Sequence, residues 1–112
     1  MKQFLMIKAY TQWRYVSTDS IVQIEGASNY SRLYFDDGTT LIIAKTLKML
    51  SASLPGHFLR IHKSCLLNSN FIVEIINAKT IILSNGVVVK LARRKATSFR
   101  HYFLGRVADL VA

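Results

Sequence analysis

The chain has 112 residues, with 15 Lys+Arg against 6 Asp+Glu for a net charge of +9, and 51% of it is hydrophobic. That length suits one domain, 1–112, with one core; it leaves no room for a receiver joined to an output domain, and the apolar content excludes a disordered basic tail. No apolar run nears the ~20 residues of a spanning helix, residues 4–7 are too short for a signal-peptide core, and the lone Cys65 cannot close an internal disulfide, so a cytoplasmic protein is expected.

In chain order, residues 1–18 form an N-terminal extension carrying Lys2, Lys8, Arg14, Tyr10, Trp13 and Tyr15, enough for one or two extra strands. Ile21-Val22-Gln23-Ile24 reads as a strand. After Gly26-Ala27-Ser28-Asn29, residues 30–35 alternate, turning Leu33 and Phe35 to the core and Tyr30, Arg32 and Tyr34 away from it. Asp37-Gly38 predicts a hairpin with a type I′ turn, and residues 41–44 a returning strand buried on both sides. Leu47, Leu50 and Leu54 recur at helical spacing, Thr46 can cap, and Pro55-Gly56 stops a short helix over 46–54. Strands follow at 58–61, 71–76, 80–83 and 87–91, the last two joined by a second hairpin at Asn85-Gly86. Ala96, Phe99, Phe103 and Val107 space a terminal helix. Six or more short strands with frequent turn signals predict a mostly β chain of antiparallel sheets.

Catalytic chemistry lacks a constellation. His57, His62 and His101 are scattered without zinc spacing, and the five glycines stand singly rather than as a phosphate loop. Cys65 and His62, three residues apart near a strand end, face different ways more often than they pair, and a buried thiol is the commoner outcome. No enzyme, cofactor or metal is expected.

The charge is uneven. Between residues 39 and 108 the chain carries eleven Lys and Arg but only one carboxylate, Glu74. A basic surface merely keeping the protein soluble is the plain reading; a phosphate-facing surface, on nucleic acid or an anionic membrane, explains the asymmetry better. The densest hydrogen-bonding cluster lies in Phe58-Leu59-Arg60-Ile61-His62-Lys63-Ser64-Cys65-Leu66-Leu67-Asn68. Arg60, His62, Lys63 and Ser64 at a strand end suit phosphate oxygens or base edges. Equally, Asn68 could cap, His62 could orient the loop, and Arg60 could tie it down from behind.

This stretch resembles the Arg-apolar-His-(Arg/Lys)-Ser…Asn segment of the LytTR family of bacterial DNA-binding domains. Ile24-Glu25-Gly26-Ala27-Ser28-Asn29-Tyr30 is similar to the family's early Ile-Glu-x-x-x-Asn-Tyr block, and Leu83-Ser84-Asn85-Gly86 with Val89-Lys90-Leu91-Ala92-Arg93-Arg94 to its late block. Thr46-Leu47 and Leu54-Pro55 also fit, and the likeness spans residues 19–103. Two positions depart from the pattern: Ala92 stands where Ser is frequent, removing a hydroxyl, and Lys95 replaces an aromatic residue.

The resemblance implies an elongated stack of small antiparallel sheets with one short middle helix and a C-terminal helix. It implies sequence-specific binding of double-stranded DNA, with loops and strand ends in successive major grooves, as the output module of bacterial transcription regulators. The contacts it implies are Asn29, Tyr30, Ser31 and Arg32; His62, Lys63 and Ser64; and Arg93, Arg94 and Lys95, with Arg93 reading guanine and the last two gripping phosphates. Paired direct repeats are expected as targets, with a homodimer that forms only on DNA left open, and no membrane partner. A receiver or membrane sensor often precedes the domain in family members; here a free-standing domain is expected. The alternatives are a small basic RNA-binding or ribosome-associated β protein stacking bases on Tyr30, Tyr34 and Phe58, and a protein-interaction module using the Trp13-bearing N-terminus.

Overall fold

The computed structural model describes residues 4–9, 11–77 and 79–91. The terminal helix expected from the spacing of Ala96, Phe99, Phe103 and Val107 lies outside the described residues. The chain is mostly β, built from several antiparallel sheets with little helix. It divides into two compact units, Met1–Asn70 and Phe71–Ala112.

In the first unit, β1 (Phe4–Ala9) and β2 (Gln12–Ser17) form a hairpin. Period-two alternation buries Leu5, Ile7 and Val16 on one face, while Phe4, Met6, Trp13 and Tyr15 are exposed on the other. Lys8 Nζ stands 5.9 Å from the centre of the Trp13 ring. A single 3-10 turn, Thr18–Ser20, leads into a five-stranded sheet of β3 (Ile21–Ala27), β4 (Tyr30–Phe35), β5 (Thr40–Ile43), β6 (Phe58–His62) and β7 (Cys65–Asn68). Their order across the sheet is β5-β4-β3-β7-β6, every pair antiparallel. The register aligns Ile24 with Leu33 and Leu66, and these three side chains build the core with Leu47 and Leu50 of α1 (Leu47–Ser51) and the buried face of the hairpin. Leu33 faces that core and Tyr30 and Arg32 face away, as the alternation predicts.

α1 is shorter than the spacing predicts. Thr46 caps it, its hydroxyl accepting from the Met49 N–H at 3.3 Å, but the helix ends at Ser51 and only the partly buried Leu54 continues the apolar stripe. Its fit depends on Gly26: a Cβ there would lie 2.7 Å from Leu47 Cγ, inside contact distance, so the glycine lets α1 close on β3. The strand over 41–44 was expected to be buried on both sides; as the sheet's edge strand, β5 instead leaves Ile42 52% exposed and buries only Ile43 fully.

The second unit is a three-stranded sheet, β8 (Ile72–Ile76), β9 (Thr80–Leu83) and β10 (Val88–Lys90), in the order β10-β9-β8. Ile81 and Leu83 are fully buried. The Asp37-Gly38 turn, expected as type I′, is built otherwise, and the Asn85-Gly86 turn is built the same way. Gly38 N–H donates to the Phe35 carbonyl and Phe35 N–H to the Thr39 carbonyl; Gly86, Leu83 and Val87 repeat the pattern. Only the glycines, at φ 89° and 85°, have positive φ, so each is a tight turn closed by a glycine bulge. Asp37 Oδ1 accepts the Thr39 N–H and Asn85 Oδ1 the Val87 N–H, which fixes both corners. No helix among the described residues is long and apolar enough to cross a membrane.

Candidate nucleic-acid interface

Antiparallel register decides which turns share an end of the five-stranded sheet. Because β3 runs from Ile21 to Ala27 while β7 pairs Cys65 with Glu25, the β3–β4 turn and the β6–β7 turn emerge together. A backbone bond from Gly26 N–H to the Ser64 carbonyl, 2.9 Å, ties them. The β4–β5 register, Ser31 opposite Ile43, brings the segment after β5 to the same end, where the Ser31 hydroxyl donates to the Lys45 carbonyl at 2.7 Å. Three stretches far apart in sequence, around Asn29, Lys45 and Lys63, therefore share one edge of the unit.

The charge along the sheet is polarised. Lys45, Lys63, Arg32 and Arg60 lie at or near this edge, while Asp19, Asp36 and Asp37 lie at the opposite end with the β4–β5 turn. Glu25 is the one carboxylate near the basic edge, and it accepts a hydrogen bond from the Tyr34 hydroxyl. That bond, then partial burial, raises the Tyr34 pKa above its ordinary value. Asp37 at the far end is held below the usual carboxylate range by the Thr39 hydroxyl and N–H.

The β6–β7 turn is braced from within. Arg60 donates through Nε to the His62 carbonyl at 3.0 Å and through its terminal nitrogen to the Lys63 carbonyl, the structural tie anticipated for it. His62 does orient the loop, as an acceptor: the Ser64 N–H donates to its Nδ1 at 3.2 Å, and Ser64 Oγ lies 3.0 Å from the same nitrogen. Accepting at Nδ1 puts the neutral ring's proton on Nε2, which keeps a donor in reserve. Lys63, at the crest, is exposed and carries no hydrogen bond or ion pair through its ammonium. Across the edge Asn29 and Tyr30 are exposed, and Ser28 beside them sits at φ 52°, a conformation that strains a non-glycine residue.

Not every expected contact residue is available. Ser31 has no exposed surface and its hydroxyl is spent on Lys45, so its place in the expected contact set gives way to a role in holding β5 to β4. Its parity with Leu33 in the alternating strand was the signal: both point to the core. Lys45, absent from the expected contacts, is exposed at the shared edge; only the β4–β5 register could have placed it there. Arg93, Arg94 and Lys95 lie outside the described residues. The strand leading to them ends at Lys90, and the Leu91 N–H is bonded to the Lys79 carbonyl at 2.8 Å, so Lys79 and Lys90 share one end of the second sheet.

Other chemistry finds little support in the geometry. Asn68 is fully buried; its amide donates to the Ile21 carbonyl at 2.9 Å and its Oδ1 accepts from the Asn70 N–H, a structural cap. Cys65 is buried with its thiol toward the Leu66 carbonyl, and burial, with the Glu25 charge, pushes its pKa up to about 11. Of the three rings proposed to stack bases, Phe58 is buried and Tyr34 is engaged by Glu25, which leaves Tyr30. Among the described residues no group of three His, Cys, Asp or Glu could hold a metal.

A protein-family model described as the LytTr DNA-binding domain matches residues 11–103. Among solved structures, the fold is similar to the LytTr DNA-binding domain of a protein described as a methyl-accepting/DNA response regulator from Bacillus cereus. The TM-score is 0.75 at 22% identity, covering 90% of this chain and 96% of that one. No curated protein sequence matches. With a family match over most of its length, three family blocks in order and the fold to go with them, the chain belongs to the LytTR family of DNA-binding domains.

Proposed function

We propose that the chain, read as one domain over 1–112, is a bacterial cytoplasmic transcription regulator that binds specific duplex DNA through loops and strand ends in the major groove. The observation that supports this reading is the basic edge of the five-stranded sheet, where the Gly26–Ser64 backbone bond joins the two turns bearing Asn29 and Lys63. Asn29, Tyr30 and Arg32 serve one part of the footprint and His62, Lys63 and Ser64 another, with Lys45 added as a phosphate contact. Arg93 reads a guanine through its O6 and N7, a geometry a planar guanidinium matches, while Arg94 and Lys95 hold phosphates. Two copies on direct repeats complete the assembly.

Selection of bound duplexes from a random pool tests the reading: one enriched motif is expected, and enrichment of single-stranded RNA over duplex in a parallel pool would replace it with the RNA-binding alternative. On the selected site Arg93→Ala should cost roughly 1–3 kcal/mol and relax preference at one base pair. Equal losses on selected and random duplexes would reduce Arg93 to a phosphate contact.

A further inference from the structure

Among the described residues, β1 and β2 pair only with each other, and one face of the ribbon they form is open. Their register sets Met6 opposite Tyr15 and Lys8 opposite Trp13, with Phe4 next along the same face. Leu5, Ile7 and Val16, of the other parity, are buried in the core, which anchors the ribbon and holds the outward face in place. Phe4, Trp13 and Tyr15 are each more than half exposed and Met6 just under half, with the Lys8 ammonium beside the Trp13 ring. At about 150–250 Å² to a ring, this face presents on the order of 500 Å² of apolar surface, a patch of the size that marks an interaction site.

Area and charge together select the occupant. Two such faces in contact bury about 1,000 Å² in total, the size at which a specific interface begins. Residues 4–17 hold two cations, Lys8 and Arg14, and no carboxylate. At the far end of the ribbon, however, Asp19 follows in the 3-10 turn, and Asp36 and Asp37 flank the second half of β2. An anionic bilayer or a nucleic-acid strand laid along the ribbon meets those carboxylates. A second copy turned end for end instead sets the Lys8 end of each ribbon against the carboxylate end of the other. We propose that the exposed β1–β2 face is a self-association surface, on which two copies of the chain pack face to face about a two-fold axis. This pair is distinct from two copies on direct repeats, which share one orientation where a two-fold pair opposes them, so it stands or falls apart from the duplex reading.

Trp13 is the one tryptophan of the chain, so its emission reports on this face alone. Sedimentation equilibrium of the full chain without nucleic acid should show monomer and dimer, with a dissociation constant on the order of 10 μM. Trp13 emission should shift to the blue in step with the dimer fraction. Tyr15→Ser and Met6→Ser should each weaken the dimer at least about tenfold, and Lys8→Glu about threefold. Melting temperature and affinity for a single selected site should match the parent in all three variants, which separates a lost interface from a lost fold. A monomer up to roughly 200 μM, a dimer that leaves Trp13 emission unmoved, or one indifferent to these substitutions would overturn the proposal. So would a blue shift on phosphatidylglycerol vesicles at a concentration where the chain is monomeric, which would give the face to lipid.

Discussion

Asn68 joins the last residue of β7 to the first of β3 from a fully buried position, its amide and its carbonyl oxygen both engaged. Asn68→Ala leaves the Ile21 carbonyl and Asn70 N–H short of partners, and should cost about 1–3 kcal/mol by urea unfolding. Unchanged stability would mean that water replaces the amide. Cys65 is the second residue whose state burial decides. Since its folded pKa is raised to about 11, the thiol stays protonated where an unfolded thiol, at about 8.5, ionises. Its contribution is therefore fully present below the unfolded value and is lost as pH rises through the folded one. Iodoacetamide at pH 8 should label Cys65 only on unfolding; rapid labelling of the native protein would place the thiol at the surface. Sequence made the burial of Cys65 and the bracing by Arg60 legible, because short-range chemistry governs both. Ser31 was expected at the DNA from its place beside the family's early block, whereas its parity with Leu33 in the alternating strand turns it inward.

At the scale of the elements, one glycine sets how closely α1 meets β3. Gly26, inside the early block, is needed for packing: the space a Cβ would fill belongs to Leu47. Gly26→Ala should destabilise the fold by about 1–3 kcal/mol through overpacking, read as a lower denaturation midpoint with unchanged slope; a neutral result would show that α1 can shift on β3 at no cost. The strands were legible because a period of two survives in short runs such as residues 30–35. Turn type was not, since Asp-Gly and Asn-Gly serve a type I′ turn and a glycine-bulge turn equally, and the choice rests on the φ of Asp37 and Asn85. The exposure of Ile42 was hidden for a different reason: a run of apolar residues marks a buried central strand in most sheets, whereas β5 ends up at an edge.

At the scale of the molecule, register turns a scattered set of cations into a basic edge, with Lys45 and Lys63 beside Asn29 and three carboxylates at the other end of the sheet. Such an edge binds phosphates by releasing counterions, so affinity falls steeply with salt. Lys45→Ala and Lys63→Ala should each flatten the slope of log K against log salt by about 1; an unaltered slope in either would remove that lysine from the interface. Lys45 was out of reach of sequence reasoning because its neighbours, Ser31 and Asn29, lie more than a dozen positions away and meet it only through strand pairing. The most direct test is a backbone amide chemical-shift map of the full chain titrated with a selected duplex. Shifts concentrated at Ser28, Asn29, Tyr30, Lys45, His62, Lys63 and Ser64, with Asp36, Asp37 and Thr39 unmoved, are what the basic-edge account predicts. Shifts gathered at the Asp36–Asp37 corner, with the amides around Asn29 and Lys63 silent, would contradict it.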